Sequence, residues 1–318
     1  MNQYATNLKK RSCRICGNLT TELLSKKMRP GPQLVTVICN QCSLVFTDPV
    51  PTQEVYYSFY ANDYEKHYGK STASQPIAVV PDFFKKLKEF IDPKELDFLE
   101  IGPGRGNVIF HAATMFKSVL GVEPSEKFAS YLTNVLNIHT LNTTGEEFFK
   151  TNTNRFDVVS MFHVLEHIYD PTIALADIHK LLNKDGILII EVPNVFKPFR
   201  DADSYFLRFV HLFNFSPFSL SNLLKKNGFE ILYLNDGGNE WNKPENILVF
   251  ARKIEDFEFN LDTTQAQKEV TRLVETWSTY RKFYRETLQS KWLILDLKKT
   301  IKTQLRKIVR PIKRLLKG

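Results

Sequence analysis

The sequence predicts an α/β fold: a doubly wound, mostly parallel seven-stranded sheet, with a small cysteine-bound unit before it and a helical extension behind it. Three observations lead there. Strand and helix patterns alternate from about Gln75 to Lys253. Apolar runs such as Ile187-Leu188-Ile189-Ile190 lack polar alternation, as strands covered on both faces do. A strand-like run ending at Ile101 passes into a glycine turn, Gly102-Pro103-Gly104-Arg105-Gly106, that opens a helix. Folds of this kind hold ligands at the carboxyl ends of their strands.

The chain has 318 residues, 43% hydrophobic and 25% charged, enough for a sizeable core and about two domains. That composition excludes a mainly disordered chain. No uncharged apolar stretch approaches the roughly 18 residues of a spanning helix, which excludes an integral membrane protein. The N-terminus lacks the apolar core of a signal peptide, so the expected location is the cytoplasm.

Taken in order, residues 10–48 form the first unit. Cys13, Cys16, Cys39 and Cys42 are all the cysteines of the chain and make two C-x2-C pairs. In a reducing compartment this spacing favours a metal over disulfides. Four thiolates suit a tetrahedral Zn2+, and the closed shell makes the ion structural. Gly17, directly after Cys16, suits the tight turn of a zinc ribbon. Residues 49–75 are an aromatic-rich link, with Tyr56, Tyr57, Phe59 and Tyr60 followed by Tyr64, His67 and Tyr68. These rings read either as a lid that stacks on a ligand or as side chains packing on both neighbouring units.

Residues 76–254 carry the sheet. The predicted strands are 96–101, 118–123, 138–141, 156–161, 186–192, 229–234 and 247–252; the predicted helices are 107–116, 125–135, 171–182 and 219–226. From 255 to 318 strand signals stop. Val270, Leu273, Trp277, Tyr280 and Tyr284 recur at three or four, as on an amphipathic helix.

Charge is concentrated at the end of the chain. The net charge is +8, yet residues 291–318 alone hold ten Lys/Arg against one acid, Asp296, so the remainder is close to neutral. Ile294, Leu297, Ile301, Leu305, Ile308, Ile312 and Leu315 form an apolar stripe among those charges, with a kink expected at Pro311. Such a helix suits an anionic membrane surface on the cytoplasmic side. A coiled-coil partner helix or a solvated basic tail are the alternatives. The near-neutral body speaks against tracking a nucleic-acid backbone.

The chemistry-bearing residues cluster after the strands. Glu100 precedes a G-x-G-x-G turn, unlike the G-x-G-x-x-G of dinucleotide sites. A carboxylate there suits a cationic ligand better than a pyrophosphate. Glu123 closes the second strand, where a carboxylate can accept both hydroxyls of a ribose; it reads equally as a charge at a helix N-terminus, since Pro124 and Ser125 follow. The fourth strand runs into His163-Val164-Leu165-Glu166-His167-Ile168-Tyr169-Asp170-Pro171, with two histidines and two acids in one loop.

Together the runs E-I-G-P-G-R-G, G-V-E-P-S, V-L-E-H-I-Y-D-P and I-L-I-I-E-V-P-N resemble class I S-adenosylmethionine-dependent methyltransferases, as does the segment from His211 to Glu230. The cysteine segment is similar to the zinc-binding part of methyltransferases that act on sugars and sugar conjugates. The resemblance covers about residues 12–252. It implies a Rossmann-like methyltransferase domain in which Glu100, Gly102, Gly104 and Gly106 face the methionyl part of the cofactor. Glu123 would bind its ribose, Glu146 would lie near the adenine, and Met161 and Phe162 would lie beside the cofactor. Relatives that methylate sugar carbons carry active-site histidines at the positions of His167 and His211. They place a carboxylate immediately before the second histidine, where this chain has Val210, a departure that sets an oxygen acceptor at least level with a carbon one.

The resulting expectation is methyl transfer to a saccharide or saccharide conjugate, whether free, nucleotide-linked or lipid-linked. His167 is the first candidate for general base and His211 the second. His163, His111, His139 and His179 are expected to be structural or surface residues. Two other readings are RNA methylation using the ribbon and basic tail, and a non-catalytic scaffold at a membrane. The near-neutral body weighs against the first; the intact glycine turn and Glu123 weigh against the second.

Overall fold

A computed structural model describes residues 4, 7–26, 34–62, 80–237 and 245–294. Tyr64, His67 and Tyr68 of the link, and the basic stretch 295–318, lie outside these described residues.

The N-terminal unit is a small antiparallel sheet of β1 (Thr21–Ser25), β2 (Thr36–Cys39) and β3 (Val45–Thr47). Each cysteine pair closes a tight turn: Gly17 N–H donates to the Cys13 carbonyl and Ser43 N–H to the Cys39 carbonyl, at 2.9 and 3.0 Å. Both turns end in a left-handed residue, Gly17 at φ +75° and Ser43 at φ +60°. The aromatic link is α1 (Gln53–Asn62), with Tyr56 and Phe59 fully buried. Among its described aromatics, these two pack between neighbouring parts of the molecule.

The seven-stranded, mostly parallel sheet that the alternation predicts is present. Its strands are β4 (Asp97–Ile101), β5 (Ser118–Val122), β6 (Thr140–Leu141), β7 (Phe156–Phe162), β8 (Leu182–Pro193), β10 (Phe229–Asn235) and β11 (Asn246–Lys253). Their order is β10-β11-β8-β7-β4-β5-β6, and β11 alone runs against its neighbours β8 and β10. After β4 the chain moves outward to β5 and β6, then returns to the other side of β4 as β7. That reversal opens a crevice at the carboxyl ends of β4 and β7. The intervening β9 (Phe213–Asn214) leaves this sheet and pairs with β3. Ribbon and sheet therefore share one core, running from Ile15 and Phe46 through Phe213 to Met161 and Ile190.

Local signals set the helix starts. Asp170 accepts from Thr172 N–H ahead of Pro171–Leu181, and Ser216 forms a reciprocal box with Ser219 ahead of Pro217–Lys226. The helix expected over 107–116 is regular only from Ile109 to Ala112. Just beyond it the Thr114 hydroxyl donates to the His111 carbonyl at 2.8 Å, and the backbone tightens to three-residue bonds.

The extension begins as a 21-residue helix, Thr263–Phe283, capped by Asp262. Its buried Trp277 donates from Nε1 to the Val195 carbonyl at 2.9 Å. Arg281 reaches the Leu24 carbonyl at 2.7 Å and forms an ion pair with Asp203. This helix thus ties the ribbon to the segment 195–207. No described helix is long and apolar enough to cross a membrane.

Candidate functional site

A cavity of about 570 Å³ opens at the switch point beside β4 and β7. One wall is the glycine turn. Gly102, Gly104 and Gly106 all adopt positive φ, at +71°, +53° and +84°. A Cβ on Gly102 would stand 2.6 Å from Val164, so the turn packs tightly beneath, while Gly104 has nothing within 4 Å of where its Cβ would be. The open side of Gly104 faces the cavity and lets a ligand approach the backbone. Glu100 also lines the cavity; it is fully enclosed and its Oε2 has no hydrogen-bond partner among the described residues. Burial pushes its carboxyl up to about 8, against the pull of the Ile109 N–H.

Glu123 accepts from Gly104 N–H at 2.9 Å and from Ser125 N–H at 2.8 Å. It braces the turn from beside the cavity, and burial raises its carboxyl above the ordinary range. Phe162 lines the cavity, whereas Met161, one residue earlier on the strand, points into the core. Gly106 packs on Leu132 below the turn. Glu146 lies outside the cavity and takes a short hydrogen bond from the Tyr57 hydroxyl. Burial first, and that carboxylate second, push Tyr57 well above its ordinary value.

The opposite wall holds the histidines. His167 follows β7 on a single turn, Leu165–His167, and His211 comes from the segment before β9; their rings meet edge to face at 4.8 Å. His167 Nδ1 lies 2.9 Å from the Val210 carbonyl. A carbonyl only accepts, so Nδ1 carries the hydrogen and Nε2 the lone pair. Val210 therefore serves through its main chain, and its side chain is buried in the core. Burial lowers His167 below its ordinary value, with Glu166 and the Val210 carbonyl opposing. His211 is pushed well below by burial and by His167.

His163, expected to be a structural or surface residue, has a half-exposed side chain paired with two carboxylates. It lines the cavity at a left-handed φ of +55°, with Nδ1 3.4 Å from Glu166 and Nε2 3.1 Å from Glu191. Burial opposes its charge, yet the two carboxylates raise it to about 10. Glu166, in turn, is held down to about 2 by His163 and His167 despite its burial. Asn246 on β11 donates to Glu191 on β8 at 2.8 Å, and Arg208 completes this wall. Sequence reasoning gave His163, Glu166, Glu191, Asn246 and Arg208 no role. The signal for the first two was present in the H-x-x-E-H run; the other three reach the cavity only through tertiary pairing.

The four cysteines sit apart from the cavity, with all four Sγ atoms within 4.8 Å of one another. Cys13 and Cys42 are 3.1 Å apart, and Cys16 and Cys39 3.5 Å. Sulfurs around a tetrahedral Zn2+ stand roughly 3.8 Å apart, so this donor set fits the ion with small outward shifts.

A parallel sheet with a switch-point cavity, a glycine turn and strand-end acids defines a protein that binds a nucleoside-bearing cofactor. The family described as "Methyltransferase domain" matches residues 70–234, more than half of the chain, and the chain belongs to that family. It is an S-adenosylmethionine-dependent methyltransferase. Among solved structures it is similar to the 1,6-didemethyltoxoflavin-N1-methyltransferase of Burkholderia thailandensis, at 16% identity and a TM-score of 0.48, covering 73% of this chain and 100% of that one. An S-adenosylmethionine-dependent methyltransferase from Mesorhizobium loti is 16% identical, with 54% and 98% covered and a TM-score of 0.42. For the N-methyltransferase NodS from Bradyrhizobium japonicum WM9 the values are 17%, 54%, 94% and 0.41. No curated protein matches the chain.

Proposed function

We propose that this methyltransferase acts on a hydroxyl oxygen of a saccharide or saccharide conjugate, with His167 as general base and Zn2+ held structurally by Cys13, Cys16, Cys39 and Cys42. The observation that carries the reading is the tautomer of His167, a residue that lines the cavity: its Nδ1–H is fixed on the Val210 carbonyl, so Nε2, 3.8 Å from Glu166 Oε1, carries the lone pair. The cofactor, when bound, supplies a sulfonium methyl that is already reactive. The protein's share is alignment and proton removal. Glu100, the open face of Gly104 and Glu123 would hold the cofactor, and burial keeps His167 neutral as a base must be.

The composition of the far wall supports a polyhydroxylated acceptor. His163, Glu191, Asn246 and Arg208 offer hydrogen-bonding groups, while Phe199 and Phe206 offer aromatic faces in the same cavity. Incubation with methyl-labelled S-adenosylmethionine and panels of free, nucleotide-linked and lipid-linked saccharides tests this. Mass spectrometry should find an O-methyl product in one panel. Label entering RNA, or a carbon-methylated sugar, would overturn the reading.

A further inference from the structure

Glu166, His167 and His211 bring one carboxylate oxygen and two imidazole nitrogens to within 4.8 Å of one another at the edge of the cavity. Chain geometry explains how. Glu166 and His167 are neighbours on the turn that ends β7, and the backbone pairing of β9 with β3 returns His211 to the same point. Glu166 has a side chain only 1% exposed. His163 approaches its Oε1, while its Oε2 has no hydrogen-bond partner among the described residues. A buried oxygen without a hydrogen-bond partner, beside two imidazoles, is open to a further ligand.

We propose that Glu166, His167 and His211 form a binding site for a divalent first-row transition-metal ion, separate from the cysteine cluster. Two imidazoles and one carboxylate suit Zn2+, Co2+, Ni2+ or Fe2+, and three protein ligands leave open positions toward the cavity. Support behind the ligands is in place. Metal-ligating histidines give their other ring N–H to a carbonyl or carboxylate, which is what His167 Nδ1 does with Val210. The Tyr56 hydroxyl binds that same carbonyl at 2.8 Å and fixes it. Ligands about 2.1 Å from a common tetrahedral ion stand roughly 3.4 Å apart, so from within 4.8 Å the set must close by up to about 1.4 Å. Glu166, Glu191 and Glu245 line the cavity opposite His163 and Arg208, so its acidic side chains outnumber its basic ones even with Glu100 left out as protonated. An ion here takes the Nε2 lone pair that proton removal needs, so metal and base use are alternative states of His167. The site does not depend on which acceptor is methylated.

Equilibrium dialysis of the full chain against buffered Zn2+, with metal counted by mass spectrometry, provides the test. Glu166→Gln and His211→Ala should each hold about one equivalent less than the unaltered chain, and both should still bind S-adenosylhomocysteine, which reports folding. Equal zinc in all three would overturn the proposal. A second measurement needs no variant. The unaltered chain loaded with Co2+ should show hyperfine-shifted ring N–H protons from two histidines, and their absence would also overturn it. Failure here leaves the saccharide reading standing, because neither measurement involves an acceptor.

Discussion

The two walls of the cavity are built in opposite ways. The glycine wall comes from one stretch, Glu100 to Gly106, and its geometry is fixed by backbone torsions and by contacts of a few residues beneath it. The histidine wall is assembled from the turn after β7, the paired ends of β8 and β11, and the segment 199–211. Its side chains are placed by buried carbonyls and carboxylates from distant positions. A local wall suits a cofactor shared by many enzymes; an assembled wall can change its acceptor without disturbing that loop. The walls should therefore separate experimentally into cofactor binding and turnover.

The largest separation is expected at His167. His167→Ala should lower turnover by about 10²–10⁴-fold, the range for loss of a general base, with little change in S-adenosylhomocysteine affinity by calorimetry. A variant that loses cofactor affinity instead would show that the two walls are one unit.

Next in size is a pH effect confined to the glycine wall. Glu100 keeps its proton up to about pH 8 because it is buried. A bound cation favours the ionised form, so binding S-adenosylmethionine should release a proton below that pH. Affinity is then expected to rise by up to about tenfold per unit as pH climbs toward 8 and to level off above it. For stability the sign is reversed. The folded chain holds a proton that the unfolded chain has lost between the ordinary carboxyl range and 8, so this group destabilises the fold progressively across that window. Calorimetry in buffers of different ionisation enthalpy would detect the released proton. Glu100→Gln should abolish both trends.

The same contrast governs what the sequence disclosed. The sheet was legible because buried parallel strands are unbroken apolar runs, and the glycine turn because torsion restricts it to one residue type. His167 and His211 were visible through resemblance, and the cysteines through spacing alone. Glu191, Asn246 and Arg208 were not, because each becomes a cavity residue only when β8 pairs with β11 or when residues 199–211 fold over it. The pairing of His163 was hidden for a related reason: nothing local shows that Glu191 lies 3.1 Å from its ring. The pairing of β9 with β3 was equally hidden, since two residues carry no period.

A smaller effect should come from the floor of the glycine wall. A Cβ on Gly106 would lie 2.6 Å from the fully buried Leu132, at a φ of +84° that side chains rarely adopt. Gly106→Ala should cost about 1–3 kcal/mol, read as a lower Tm, with cofactor affinity falling alongside it. A stable variant with normal affinity would mean that the turn tolerates repacking, and the local wall would lose its claim to rigidity.

The smallest effect probes how the histidine wall is held. The Tyr56 hydroxyl shares its proton between the carbonyls of His167, at 2.9 Å, and Val210, at 2.8 Å. The ring is wholly buried, and it packs against Tyr169 and Phe209. Tyr56→Phe keeps the ring and removes only the hydroxyl, so the expected loss of stability is about 0.5–1.5 kcal/mol. The consequence for chemistry is larger than that figure suggests. With the hydroxyl gone, the Val210 carbonyl that fixes His167 Nδ1–H loses its anchor, and the base samples other orientations. Turnover should fall several-fold while S-adenosylhomocysteine affinity is unchanged. If Tm drops and turnover does not, Tyr56 only fills space between ribbon and sheet, and the placement of His167 must come from Val210 and the β3–β9 pairing alone.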